Sequence, residues 1–361
     1  MKTISLFLLI ALGSFEQTYG PFARPQSGAG HAIAAARSGA LLVWNENDAT
    51  GRARVHVGLI DANGTLISPV SVLPALVASR DARMPAVATD GESFFVAWEE
   101  VFNDEQTVGI AVGADGIPIG EPRALGAPTY TFDNVYEPTR VTWLGDSYAV
   151  RGDSNRPVRV DAAGNVLETF SGPVTMAVGA DGSRAYAELR VISTPTGNFP
   201  GIPGFRTEYT IVWSAGAKVG SQFFGQQPVS APVVAAAGND FVMMWTAAGM
   251  VHYQLASTGL RYTHNAGVDA SARPQLVCSA TRCIAAYGTR ANDVQGFTFD
   301  PANPFERAPF VAASSGRAES EPQVVMFSDS RGLISYRSAG NGETLAGRTI
   351  RFARPKHRAA R

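Results

Sequence analysis

Short apolar runs recur along almost the whole chain, and each is followed by a turn and a second, more apolar run. The second run often ends in an aromatic residue, as at Trp44, Trp98 and Trp245. Runs of this length between turns rich in Gly, Asp and Asn are typical of short antiparallel strands joined by tight hairpins. Gly (37 residues) and Pro (22 residues) are abundant and no long stretch has helical periodicity, so the pattern predicts an all-β protein.

The same sequence repeat, which consists of two strands and a turn, occurs seven times. Its copies begin near residues 32, 85, 140, 174, 233, 275 and 323. A third strand and an Asp/Asn/Gly turn follow in several copies, as in residues 55–60 before residues 61–64. The spacing of about 50 residues fits a four-stranded propeller blade, for which ~40–50 residues is typical.

A single β-propeller of seven four-stranded blades explains this repeat better than a β-sandwich does. A sandwich needs alternating strands, but it does not need the same phrase over nearly the whole chain. Strands made mostly of Val, Ala, Leu, Phe and Met suit sheets that are covered on both faces, as stacked blades are. Six blades remain an alternative, because the third and fourth copies are the least regular.

The ring is predicted to close through its two terminal segments. The seventh copy has strands near Gln323, Leu333 and residues 345–351, and the chain then runs into Pro355. Its missing fourth strand is expected from the residues just before the first copy, around residues 20–26. We therefore predict a propeller over residues 21–353 and a basic C-terminal tail over residues 354–361.

The first 20 residues have the layout of a secretory signal peptide. Lys2 precedes an apolar run over residues 4–12, which is too short to span a bilayer. A buried N-terminal strand is the alternative. Small residues at Gly13 and Gly20 offer two cleavage points, and we expect a secreted or periplasmic protein.

The only two cysteines, Cys278 and Cys283, stand at the ends of two predicted strands joined by a short turn. This arrangement places them opposite each other in a hairpin, and antiparallel neighbours lie within disulfide reach. We predict a disulfide. Two free thiols, or half of a metal site, are the alternatives, although no histidine or further cysteine is nearby in sequence.

Charge and hydropathy narrow the classes of partner. The formal net charge is −1 and only 17% of residues are charged, so nothing attracts the protein to nucleic acid. No other stretch is long and apolar enough to form a transmembrane helix. A monomer is expected.

Residues 85–98, followed by a strand and Ala114-Asp115-Gly116, resemble the repeats of large secreted bacterial β-propeller-like proteins. The resemblance covers residues 27–352, and the hairpin cysteine pair is similar to pairs in some of those repeats. It implies the propeller fold. It implies little about activity, because no common catalytic motif accompanies these repeats.

A search for catalytic motifs finds no His-Glu-x-x-His, Gly-x-Ser-x-Gly or phosphate-binding loop. The five histidines are scattered along the chain, which favours structural roles. Carboxylates cluster on loops expected at one face of the ring, and the candidate catalytic residues are Glu46, Glu99, Glu100 and Asp104. They could act as acid and base on a glycoside or bind calcium, or they could form a solvated rim without a metal site.

The longest predicted loop, residues 193–206, carries two phenylalanines that would be unfavourable to expose. It could fold over the channel and, with nearby aromatic residues, bind sugar rings or a protein partner. The candidate ligand-binding residues are Phe199, Phe205, Tyr130, Phe132 and Tyr136. The alternative is a loop that packs onto its own blade.

A repeat scaffold without a recognisable catalytic set favours binding over catalysis. We therefore predict an extracellular binding or interaction propeller whose ligand is a glycan or a protein, with no cofactor beyond a possible calcium ion. The alternatives are a carbohydrate-active hydrolase or lyase that uses the carboxylates above, and a purely structural surface protein.

Overall fold

The computed structural model describes residues 12–21, 30–102, 104–126, 139–152, 157–170, 175–196, 204–268, 272–315, 317–339 and 343–352. At residues 12–21, 195, 196, 204, 205 and 343 the description is of the backbone alone. Within these residues the chain forms seven four-stranded antiparallel sheets. The protein is a seven-bladed β-propeller, so the seven-blade prediction is confirmed and the six-blade alternative is wrong.

The strands follow the chain blade by blade. An N-terminal strand, β1 (Leu12–Pro21), precedes blade 1, which comprises β2 (His31–Ala36), β3 (Gly39–Asn47), β4 (Ala53–Ile60) and β5 (Ser71–Val72). Blade 2 comprises β6 (Asp81–Thr89), β7 (Phe94–Val101), β8 (Glu105–Val112) and β9 (Pro118–Ala124). Blade 3 comprises β10 (Arg140–Trp143), β11 (Tyr148–Arg151), β12 (Val158–Val160) and β13 (Val166–Thr169).

The other four blades continue the same order. Blade 4 comprises β14 (Met176–Val178), β15 (Arg184–Thr196), β16 (Gly204–Ala215) and β17 (Lys218–Gly225). Blade 5 comprises β18 (Val233–Ala237), β19 (Asp240–Ala247), β20 (Met250–Leu255) and β21 (Arg261–Asn265). Blade 6 comprises β22 (Gln275–Cys278), β23 (Cys283–Gly288), β24 (Val294–Asp300) and β25 (Asn303–Ala313). Blade 7 comprises β26 (Ala318–Ser328), β27 (Arg331–Ala339), β28 (Glu343–Arg351) and β1.

Strand β1 closes the ring by pairing with β28, from Leu12 opposite Ile350 to Pro21 opposite Thr344. The principle of closure by the two terminal segments is confirmed. The prediction that residues 20–26 supply the strand is wrong, because the strand lies further towards the N-terminus and overlaps the predicted signal peptide. An edge strand pairs through backbone groups, so its side chains constrain its position only weakly.

The hairpins between the third and fourth strands of blades 1 and 3 rest on an Asp-x-x-Gly turn. In the turn after β4, Asp61 Oδ1 accepts the backbone N–H groups of Asn63 and Thr65, each at 2.8 Å. Gly64 then takes a φ of +82°, which side chains disfavour. Asp161 and Gly164 repeat this geometry in blade 3. The turn residues therefore fix the register of the strands they join.

Blade 1 buries both faces of its inner strands against its neighbours. In β3, Leu41 and Val43 pack with blade 2 in one apolar cluster, whereas Ala40 and Leu42 pack against blade 7 in another. This two-sided burial explains why the strands read as continuous apolar runs.

The predicted disulfide is confirmed. Cys278 and Cys283 face each other in the β22–β23 hairpin with an S–S bond of 2.05 Å. The two free thiols and the half metal site that the sequence left open are therefore wrong.

The first strand of every blade lies innermost, and these strands contact one another in a closed ring: β2, β6, β10, β14, β18, β22 and β26. They surround a central channel. In the described part of the chain, no helix is long and apolar enough to span a membrane.

Candidate functional site

The central channel encloses a cavity of about 700 Å³. Its polar lining gathers at the end where the innermost strands begin, which we call the channel mouth. The charged or histidine side chains of the mouth are His31, Arg140, Arg273, Glu319 and Glu321. Deeper in the channel the lining is largely aliphatic, with Val87, Val141 and Val234 among the contributors. A cavity of this size and mixed character falls within the range of ligand sites.

The pairing of the first and second strands shows a recurring feature at the channel mouth. One residue of the first strand lies opposite a buried aromatic residue of the second strand, and its identity follows a pattern. In blades 2, 5, 6 and 7 the neighbouring registered pairs place a proline there, opposite Trp98, Trp245, Tyr287 and Tyr336 respectively: Pro85, Pro232, Pro274 and Pro322. In blade 1 the residue opposite Trp44 is His31. A histidine has therefore replaced the proline of the internal repeat at one point of the ring.

His31 is only 5% exposed and lines the cavity. Among the described residues, neither of its ring nitrogens has a hydrogen-bond partner. Burial lowers the pKa of His31 to about 3, and the positive charge of Arg337 adds to this effect. The nearby Ser335 backbone opposes part of it. The imidazole is therefore neutral near pH 7, with one donor and one acceptor nitrogen.

Glu319 lies on β26 of the neighbouring blade and is 2% exposed. Its Oε1 accepts the Ser315 hydroxyl and, at 3.3 Å, the Ser315 backbone N–H. Its Oε2 is buried and has no hydrogen-bond partner among the described residues. Buried polar atoms are seldom left in this state.

Two backbone irregularities flank blade 1 at the mouth. Met84 in blade 2 and Glu321 in blade 7 have φ values of +47° and +51°, and each precedes a proline. A pre-proline residue strongly favours extended backbone, and a left-handed one costs about 1–2 kcal/mol. Register shifts interrupt β6 and β26 at these points. Such bulges redirect side chains, and both Met84 and Glu321 line the cavity.

Two other charged side chains of the mouth have identified partners. Glu321 accepts from Arg337 across a 2.7 Å ion pair. On the other side of the ring, Arg140 donates to the Thr175 hydroxyl. The acidic side chains therefore belong to blade 7, whereas Arg140 lies in blade 3 and Arg273 precedes blade 6.

The four candidate catalytic carboxylates are separated from the cavity lining. Glu100 is fully buried and accepts the backbone N–H groups of Leu76 and Val77 at 2.6 and 2.9 Å. Glu99 is also buried, not on a solvated rim, and accepts the hydroxyl of Thr107 at 3.0 Å.

The other two carboxylates have similar local roles. Glu46 accepts the indole N–H of Trp44 at 3.1 Å, and Asp104 forms an ion pair with Arg80 at 2.7 Å. The Trp-x-Glu contact recurs in blade 2, where Trp98 lies 3.4 Å from Glu100. Each of the four side chains thus holds a strand end or a loop in place.

The candidate aromatic residues Tyr130, Phe132, Tyr136 and Phe199 lie outside the described residues, as does the side chain of Phe205. The predicted loop 193–206 is replaced in large part by a two-stranded ribbon. Strands β15 and β16 pair as far as Thr196 opposite Gly204. Alternating Ser, Thr and β-branched residues on both sides of the tip favour this continuation of the hairpin.

The five histidines look alike in the sequence, and the structure separates them. His56 and His252 stack on the tryptophans opposite them, each with ring centroids 5.7 Å apart. His264 lies 3.1 Å from the Tyr287 hydroxyl. His31 alone among these four lacks any such contact in the described structure, and its departure from the repeat's proline was a signal available in the sequence. In the described residues no group of three or more His, Cys, Asp or Glu side chains is placed to hold a metal ion.

Comparison with known proteins supports the fold. No protein-family model matches the sequence, and no curated protein is similar enough to give a match. The C-terminal WD40 domain of Sif2 is similar, with a TM-score of 0.55 and 13% identity over 95% of this chain and 99% of that one. A chain from a mitotic checkpoint complex is similar with a TM-score of 0.54 and 12% identity, over 98% of this chain and 95% of that one. At these identities the likeness concerns the propeller architecture alone.

Proposed function

We propose that this protein is an extracellular binding propeller that holds a polar part of a glycan or protein ligand at the channel mouth. The observation that carries the proposal is a cavity of about 700 Å³ in the central channel, with charged and polar side chains at its mouth and an aliphatic lining deeper in. A concave site with an apolar lining and a few polar groups is typical of ligand pockets. Propellers in general use such faces for binding.

The extracellular location rests on two features. The N-terminus has the charge and apolar layout of an export signal, and the only two cysteines form a disulfide. Disulfides persist mainly in oxidising compartments. Both features fit a protein that works outside the cytoplasm.

Binding is favoured over hydrolysis by the positions of the carboxylates. A glycosidase needs two carboxyl groups that face one sugar across about 5–9.5 Å. Glu100 is instead saturated by backbone N–H groups, and Asp104 is paired with Arg80. These contacts are those of structural residues.

The proposal is tested by a substitution that places a large side chain in the channel. Gln275 lines the cavity from β22, so Gln275→Trp places a large side chain in the ligand's space. Gln226 is exposed just after the outermost strand of blade 4, and Gln226→Trp provides the matched control. Both variants and the wild-type protein are applied to a glycan array and a peptide array, with and without calcium.

We expect the wild-type and Gln226→Trp proteins to bind a common set of ligands that Gln275→Trp no longer binds. Equal thermal unfolding of the two variants excludes a folding defect. Ligands that bind all three proteins equally would place binding outside the channel and contradict the proposal. A wild-type protein that binds nothing on either array would favour a structural role.

A further inference from the structure

The outer strand of blade 4, β17, has an edge that is open to pairing with another strand. Outer strands carry unpaired backbone groups, and proteins usually protect them by short length, prolines, charges or bulges. Strands β5, β13 and β21 have two, four and five residues. Strands β9 and β25 contain prolines and register shifts, and register shifts also interrupt β1. Among the outer strands that the structure describes, only β17 pairs regularly over six residues without a proline, from Lys218 to Phe223.

The one charge of β17 is directed away from its free edge. The Nζ of Lys218 donates to the carbonyl groups of Ala256 and Ser257 in blade 5, at 3.0 and 2.6 Å. The other residues of the strand are uncharged. The charge that would normally protect such an edge is therefore held against the neighbouring blade.

The exposed face of β17 is apolar at two of its three positions. Val219 and Phe223 are 77% and 62% exposed, and Ser221 lies between them on the same face. A regular edge strand with exposed apolar side chains is a typical site for the addition of a further strand.

The hydrogen-bond pattern of blade 4 identifies the backbone groups on this edge. The Ala187 N–H donates to the Thr175 carbonyl, so the backbone groups of odd-numbered residues in β15 point towards β14. The registers of β15 with β16 and of β16 with β17 extend this alternation across the blade. They direct the N–H and C=O groups of Val219, Ser221 and Phe223 outwards, where no strand pairs with them in the described chain.

We propose that β17 pairs antiparallel with β17 of a second copy of this chain, across a two-fold axis at Ser221. The two Ser221 residues then face each other, and Val219 of each copy lies opposite Phe223 of the other. Each of these three residue pairs exchanges two backbone N–H···O bonds. On the exposed face a β-branched side chain meets an aromatic one, which is a favourable cross-strand pair.

The residues of β17 favour a second copy as the occupant of this edge. A shift of two residues in either direction would place Ser221 opposite Val219 or Phe223 and would separate the apolar pairs. In the register centred on Ser221 no like charges meet, because Lys218 lies opposite Phe224 of the other copy. The other described outer edges are protected, so β17 is the edge of this protein best suited to pair with β17.

Cysteine cross-linking tests both the pairing and its register. The two native cysteines form a disulfide, so an introduced cysteine is the only free thiol. Opposed residues in a hydrogen-bonded antiparallel pair have Cα atoms about 5.5 Å apart, within disulfide reach. We expect Ser221→Cys to form a covalent dimer under mild oxidation. Val219→Cys is the matched control, because its counterpart in the other copy lies about four residues, or ~13 Å, along the strand. A mixture of the Val219→Cys and Phe223→Cys proteins should cross-link.

Sedimentation velocity over a range of concentrations measures the association without cross-linking. Val219→Lys removes both Val–Phe pairs across the axis, so it should weaken the dimer about tenfold. Val72→Lys is the matched control, because Val72 is 52% exposed on β5, a strand of only two residues. Equal thermal unfolding of the two variants excludes a folding defect.

We expect the wild-type and Val72→Lys proteins to dimerise at concentrations where Val219→Lys is mostly monomeric. A wild-type protein that stays monomeric at every concentration, as the sequence led us to expect, would overturn the inference. A dimer that Val219→Lys retains, or equal cross-linking of Val219→Cys and Ser221→Cys, would place the contact elsewhere and overturn it too. These outcomes are independent of ligand binding in the channel, because β17 is the outermost strand of its blade.

Discussion

Replacement of His31 by phenylalanine should make the protein more stable. The two buried ring nitrogens of His31 have no partner among the described residues. An unsatisfied buried polar group costs about 1–3 kcal/mol, and phenylalanine has none. The extra volume of the larger ring can extend into the cavity that His31 lines. We expect the free energy of unfolding to rise by about 2 kcal/mol at pH 7.

The same substitution should change how stability depends on pH. The pKa of His31 in the folded protein is about 3, below the 6.5 of an unperturbed histidine. The unfolded chain therefore takes up a proton below pH 6.5 that the folded chain does not, and the wild-type protein loses stability as the pH falls from 6.5 towards 3. The slope is about 1.4 kcal/mol per pH unit, so the advantage of His31→Phe should grow by about 2–3 kcal/mol between about pH 6.5 and 4.5.

Urea denaturation at a series of pH values measures both effects. His252→Phe is the control, because His252 stacks on Trp245 and its Nδ1 lies 3.2 Å from the Thr263 hydroxyl. That variant loses a polar contact and should gain no stability at pH 7. A His31→Phe protein that is less stable than wild type at pH 7, with a difference that does not vary with pH, would refute the reasoning.

Three further predictions follow from other parts of the molecule. Replacing both Cys278 and Cys283 by serine should lower the free energy of unfolding by about 2 kcal/mol, from the entropy of the short loop that they close; free thiols detected in the unreduced, unfolded wild-type protein would contradict the disulfide. Glu100→Ala should lower it by about 2–4 kcal/mol, since three donors lose their acceptor, whereas Glu46→Ala should cost about 1 kcal/mol or less; equal stability in urea would contradict the role assigned to Glu100. Export should cleave the chain after Gly13, which leaves most of β1 to close the ring; an intact mass that places Pro21 at the N-terminus would contradict closure by β1.

The candidate catalytic carboxylates have structural roles, and their positions show why the enzyme hypothesis was difficult to assess from the sequence. Glu99 and Glu100 follow Trp98 at the end of an apolar run, where a loop on the ring's face was expected. Strand β7 continues through both residues to Val101. The carboxylate of Glu100 is then held by Leu76 and Val77 from the segment that precedes its own blade. No sequence rule places that segment above the strand end.

The sequence by itself determined the architecture, because the interactions within a blade are local. Each hairpin joins strands that are neighbours in the chain, and turns such as Asp61 to Gly64 fix their register through nearby backbone groups. Apolar runs that lack alternation indicate burial on both faces, and the spacing of the copies gives the blade size. The disulfide pair followed from the same hairpin logic.

Only the tertiary structure decided which residues meet at the channel mouth. His31 and Glu319 lie near opposite ends of the chain, and closure of the ring between blades 7 and 1 brings both into the lining of the channel. The closing strand itself, Leu12–Pro21, pairs through its backbone, so its side chains gave little indication of its position. A binding site at the centre of a propeller takes residues from several blades, and closure of the ring determines their geometry.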